Sequence, residues 1–160
     1  KHMAQHNLPG ANLNWTKNVT NCFLIRDPQE VLLSYSKKYE IKSIYQLGYP
    51  QQADLFKRMK KKNVELPIVM DARDVLLNPE KLLKQFCNKI GISFSERMLS
   101  WSAGRRGSDG IWGRHWYGNV EKSTGFQPNL EKQVGLPGKY KGIYVDCMEY
   151  YQRLYQNRLI

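Results

Sequence analysis

The sequence predicts an α/β domain in which a short parallel sheet is flanked by helices. Three observations carry that prediction. Two short apolar runs, residues 22–25 (CFLI) and 66–70 (LPIVM), are bounded by polar residues, as in strands covered on both faces. Downstream of each comes an Asx-Pro step, Asp27-Pro28 and Asn78-Pro79, that opens a helical pattern. Strands therefore alternate with helices instead of returning through tight hairpins.

The first 20 residues have the weakest pattern. Residues 1–3 can close a strand, Pro9-Gly10 signals a turn, and residues 13–18 form a polar connector around Trp15. After the first apolar run, Asp27 is the natural N-cap and Pro28 takes the first helical position, where its missing N–H costs nothing. Val31, Leu32, Tyr35 and Tyr39 make a stripe for packing on the sheet, with Ser34 at its edge. Residues 40–48 connect to a second helix over 50–62, whose apolar positions are Ala53, Leu55, Phe56 and Met59. Its basic end, Lys57, Arg58, Lys60, Lys61 and Lys62, reads as a solvated helix terminus favoured by the dipole. The second strand ends at Asp71. A third helix follows, with Asn78 as N-cap, Pro79 and Glu80 in its first turn, and a stop at Gly91 after about Ile90. Leu82, Leu83, Phe86, Cys87 and Ile90 form its inner face. Residues 101–126 lose all periodicity and become rich in Gly, Trp and Arg. A long irregular stretch of this kind in a compact domain is usually functional, and its aromatic residues argue against disorder. A Pro/Gly-broken linker over 127–142 leads to a last helix, whose stripe of Ile143, Cys147, Tyr150, Tyr151 and Leu154 packs on the sheet.

At 160 residues the chain fits one domain with a core of its own. A formal net charge of +11 favours anionic partners: nucleotides, nucleic acid or acidic surfaces. Cys22, Cys87 and Cys147 are odd in number, widely spaced and set in apolar patterns, which predicts buried free thiols in a reducing compartment. No apolar run approaches a membrane span and the first residues lack the apolar core of a signal peptide, so a cytoplasmic protein is expected. The sequon Asn18-Val19-Thr20 carries little weight in that setting. His2 and His6 stand four apart, but no third ligand accompanies them and no metal is expected.

The first strand–turn–helix unit places a cation, Arg26, at the carboxyl end of a strand. It adds backbone amides at a helix start and a hydroxyl, Ser34, two turns along. Such a place suits an anion. Arg26 and Ser34, in the frame IRDPQEVLLSY, resemble the element of the sulfotransferases that binds the 3′-phosphate of 3′-phosphoadenosine 5′-phosphosulfate (PAPS). The block DARDVLLNPEKLLKQFCNKIGISFSERML looks like that family's second recurrent segment, whose residues are chiefly structural. Arg105-Arg106-Gly107, with Gly110 and Trp112, resembles the RKGxxGxW loop that folds over the 3′-phosphate. Arg replaces Lys, and Ile111 stands where an Asp is common. Arginines offer forked donors to phosphate oxygens, and glycines let backbone amides approach. Arg114 and His115 are further candidates in the same loop.

The resemblance covers residues 20–126 and implies a partial P-loop NTPase or sulfotransferase-like domain over 1–160 that binds PAPS or its product PAP. Arg26, Ser34, Arg105, Arg106 and Gly107 would contact the cosubstrate. His2 or His6 would be the counterpart of the family's catalytic His, a residue suited to taking a proton from an acceptor near neutral pH. The acceptor would be a small molecule, a lipid or a carbohydrate. The family's phosphate loop is not found: there is no GxxxxGK[ST], and Lys122-Ser123-Thr124-Gly125 lies in the wrong context. The expectation is therefore the 3′-phosphate half of a sulfotransferase, inactive alone, with the N-terminal unit lost or the chain a fragment. Two other readings compete. One is a basic nucleic-acid module using residues 57–62 and the Arg/Trp loop. The other is a non-catalytic remnant that oligomerises through an exposed sheet edge.

Overall fold

The computed structural model describes residues 2–8, 10–62, 66–111, 113, 117–128 and 135–160. Two strands, β1 (Cys22–Ile25) and β2 (Ile68–Asp71), pair in parallel, with Cys22 opposite Ile68 and Ile25 opposite Asp71. The helices are α1 (Pro28–Tyr35), α2 (Tyr49–Lys62), α3 (Ala72–Leu77), α4 (Pro79–Ile90), the single turn α5 (Gly118–Glu121) and α6 (Lys141–Tyr155). The parallel sheet flanked by helices is the architecture the sequence predicts. Parallel strands need a long crossover, here α1 and α2, between them.

Two helix starts follow from their caps. The Asp27 carboxylate accepts the Gln29 N–H at 2.8 Å ahead of Pro28. Asp71, the last residue of β2, caps α3 by accepting the amides of Arg73 and Asp74 at 2.9 and 3.3 Å. That helix was not expected from the sequence. Its six residues lack a full apolar repeat, and the apolar pair Leu76-Leu77 directs attention to the helix that follows. At the far end of α4, Gly91 adopts φ 74°, the left-handed stop that glycine supplies most cheaply.

One core lies on one sheet face, where Phe23, Ile25 and Val69 meet Ala53, Phe56 and Met59 of α2 and Cys147, Tyr151 and Leu154 of α6. On the other face Ile68 and Met70 pack beneath Val75 of α3 and Leu82 of α4. A third cluster joins Leu32 of α1 to Ile41 and Tyr140. β2 is thus buried on both faces, whereas β1 is not. Cys22 and Leu24 share a face with Ile68 and Met70, but α3 and α4 do not reach over them, and Leu24 is 64% exposed. This corrects two expectations: β1 is covered on one face only, and of the three free cysteines only Cys87 and Cys147 are buried.

β2 is central. Beyond β1 on one side, the residues after α6 bridge it on the other, with Val69 paired to Arg158 and the Leu159 N–H donating to the Val69 carbonyl at 2.9 Å. On the outer edge of β1, Gln52 Nε2 donates to the Leu24 carbonyl at 3.1 Å and the Tyr49 hydroxyl to the Arg26 carbonyl at 2.9 Å. Side chains of α2 therefore occupy two acceptors that an added strand would use. Among the described residues, no helix is long and apolar enough to cross a membrane.

Candidate functional site

Arg26 stands immediately after β1, and its backbone is fixed from below. Its carbonyl accepts from Tyr49, whose phenol is pushed well above its ordinary pKa by burial and so remains a donor. Its side chain is 45% exposed, and Nε donates to Glu30 Oε2 at 2.8 Å. Ser34 is exposed on α1, on the same strand–turn–helix unit. The helix start is less open than the sequence suggests, because the Gln29 amide is taken by the Asp27 carboxylate and Glu30 sits in the first turn. Both acids offset the positive end of the dipole.

The loop of residues 101–126 is irregular, as expected, but it is closed at its base. Ser100 bridges Gly125, the Trp101 N–H donates to the Thr124 carbonyl at 2.9 Å, and the Gly104 N–H to the Glu121 carbonyl at 2.7 Å. At its tip Asp109 Oδ2 accepts the Arg106 N–H at 2.8 Å, while the Asp109 N–H returns to the Arg106 carbonyl at 3.1 Å. Gly110 follows with φ 68°. Arg105, Arg106, Gly107, Gly110 and Ile111 line a depression of about 500 Å³, and both arginine side chains lie at the surface. Three of the sequence candidates, consecutive in the chain, share that depression. Arg26 and Ser34 do not line that depression. A larger cavity of about 740 Å³ lies against the start of α4, lined by Asn78, Glu80, Lys84, Ser100, Thr124 and Phe126 among others, and holds none of the candidates among the described residues. Trp112, Arg114, His115 and Trp116 lie outside the described residues.

His2 and His6 are both exposed, on a segment whose 3₁₀ turn Ala4–His6 packs beside α2. The His2 ring is hydrogen-bonded through Nε2 to Asn7 Oδ1 at 2.7 Å and meets Trp15 edge-on at 5.5 Å. The basic residues Lys57, Arg58, Lys60 and Lys61 are exposed at the end of α2, as expected.

Three residues escaped the sequence reading. Glu30 contacts both Arg26 and Arg73, the latter through a 3.3 Å contact from Nη2 to Oε1. Asp109 shapes the arginine turn. A signal existed for Arg73, since Arg26-Asp27 and Arg73-Asp74 both follow a strand at its carboxyl end.

Comparison with known proteins accords with this architecture. The chain is 27% identical over 154 residues to branched-chain-amino-acid aminotransferase-like protein 2 of Arabidopsis thaliana, covering 96% of the chain and 27% of that protein. It is 31% identical over 126 residues to the aminotransferase-like protein 1 of the same plant, covering 79% of the chain and 22% of that protein. The chain thus spans about a quarter of the length of these curated relatives. No solved structure matches it significantly. The family described as "Sulfotransferase domain" matches residues 1–152, which takes in the β1–Arg26–α1–Ser34 unit and the arginine loop alike. By that match over nearly its whole length, the chain belongs to the sulfotransferase domain family.

Proposed function

We propose that this chain binds PAPS or PAP through its 3′-phosphate and is the part of a sulfotransferase that holds the cosubstrate by that group. The observation that carries this reading is the β1–α1 unit: a partly exposed guanidinium at the end of a parallel strand, with an exposed hydroxyl two turns into the following helix. In this reading Arg26 and Ser34 contact the 3′-phosphate, and Arg105, Arg106 and Gly107 fold over it. The turn held by Asp109 keeps two guanidinium groups at the surface of one depression, which Arg26 and Ser34 do not line. Residues 1–160 act as a single unit in this scheme.

PAPS would supply the sulfuryl group, and an acceptor hydroxyl or amine would displace PAP in line. His2 or His6 would take the acceptor's proton. Transfer also requires stabilisation of the bridging and leaving oxygens. The 160 residues contain no GxxxxGK[ST] motif to provide it, so binding is the activity expected of this stretch. Calorimetric titration with PAP tests the assignment. Arg26→Ala and Ser34→Ala should each weaken PAP binding, by about tenfold or more for the arginine. Unchanged affinity in both variants overturns it.

A further inference from the structure

Arg26 and Arg73 follow the carboxyl ends of two adjacent, registered strands, and a single carboxylate lies between them. Glu30 gives Oε2 to Arg26 Nε at 2.8 Å and Oε1 to Arg73 Nη2 at 3.3 Å. The neighbouring acids are engaged elsewhere: Asp27 with the Gln29 amide, Asp71 with Tyr151 and the α3 amides, and Asp74 with Arg158 at 2.7 Å. Two guanidinium groups thus share one carboxylate. Glu30 is only 19% exposed, while Arg73 is 62% exposed and extends toward solvent.

We propose that Arg73 is a further cation of the phosphate site and that Glu30 is an internal counter-ion which a bound phosphate displaces. This rests on the PAP reading given above. A carboxylate spanning two guanidinium forks offers the same oxygen acceptors as a phosphate, with less charge, so the two anions compete for one pair of donors. Exposed ion pairs contribute little to stability, so the exchange is easy on the arginine side. Glu30 also sits in the first turn of α1, where its charge is favoured by the dipole and repels an arriving anion. It therefore tempers affinity and prevents two adjacent arginines from facing each other uncompensated.

The test is PAP titration of the wild-type chain beside Arg26→Ala, Arg73→Ala and Glu30→Gln, with inorganic phosphate as a second probe followed by the Nε–H resonances of Arg26 and Arg73. Arg73→Ala should weaken PAP binding by about tenfold, and Glu30→Gln should tighten it, on the order of fivefold. Circular dichroism confirms that each variant is folded, and the exposure of Arg73 makes that substitution mild. Binding lost in Arg26→Ala but intact in Arg73→Ala overturns the inference and leaves the PAP reading standing. Weaker binding in Glu30→Gln overturns the displacement, since Glu30 would then position the arginines instead of competing for them. If PAP does not bind the wild-type chain, the PAP reading falls, and phosphate decides the clamp alone: movement of both resonances upholds it, and movement of neither overturns it.

Discussion

The Tyr151 hydroxyl donates to Asp71 Oδ2 at 2.8 Å, joining the middle of α6 to the end of the central strand in a site where Asp71 is 2% exposed. The other carboxylate oxygen caps α3, so one buried acid satisfies three donors. Asp71→Ala removes the cap and strands the phenol. The two losses together should cost ~3 kcal/mol, read as a lower urea midpoint. Asp71→Asn keeps one accepting oxygen for the α3 amides but turns an NH2 donor toward Tyr151, whose hydroxyl must then accept instead of donate, and should cost about 1 kcal/mol. Equal losses in the two variants would show that the acceptor retained for the α3 cap contributes nothing measurable.

Alkaline pH should destabilise the fold. Burial, and then the nearby Asp146 charge, pushes the Cys147 thiol from 9.0 up to about 12. Burial also raises Tyr49, and burial together with the Asp71 hydrogen bond raises Tyr151. Unfolding returns these groups to water, so above pH 9.0 the unfolded chain releases protons that the folded chain retains up to about pH 12. Stability is therefore complete below the lower value and falls through that window, by at most about 1.4 kcal/mol per pH unit for each group. Urea midpoints measured from pH 7 to 11 check this, and Cys147→Ala should flatten the slope. A midpoint independent of pH across that range would contradict it.

Much of this fold was legible because local chemistry and packing agree. Asp27-Pro28 and Asn78-Pro79 mark two helix starts, Gly91 marks a stop, and Ala53, Leu55, Phe56 and Met59 are all buried. The misreadings of β1 and Cys22 share one cause, which is that an apolar run reveals hydrophobicity and not which faces find partners. CFLI and LPIVM look alike in sequence, yet α3 and α4 cover only β2, so Leu24 and Cys22 remain outside. The Asn78 side chain likewise makes no cap bond despite its favourable type. At the site, Arg26 and the arginine loop were visible as motifs. The Glu30–Arg73 contact was not, because it joins residues 43 apart in sequence.

Gly48 controls how the histidine-bearing N-terminal segment docks on α2. Its φ is 81°, and a Cβ built there would lie 2.9 Å from the Gln5 amide nitrogen. Two penalties therefore fall on Gly48→Ala: left-handed backbone strain and a clash with backbone atoms that cannot simply rotate away. Gly91 isolates the first of these. Its φ is 74° with nothing within 4 Å of the added methyl, so Gly91→Ala should cost only about 1 kcal/mol. Gly48→Ala should cost roughly 2 kcal/mol or release the Ala4–His6 turn from α2, in which case global stability changes little and the segment bears the effect. Thermal midpoints of both variants, combined with hydrogen exchange at the Gln5 amide, separate those outcomes. If Gly48→Ala matches Gly91→Ala in midpoint and leaves Gln5 exchange unchanged, the close approach does not hold the turn.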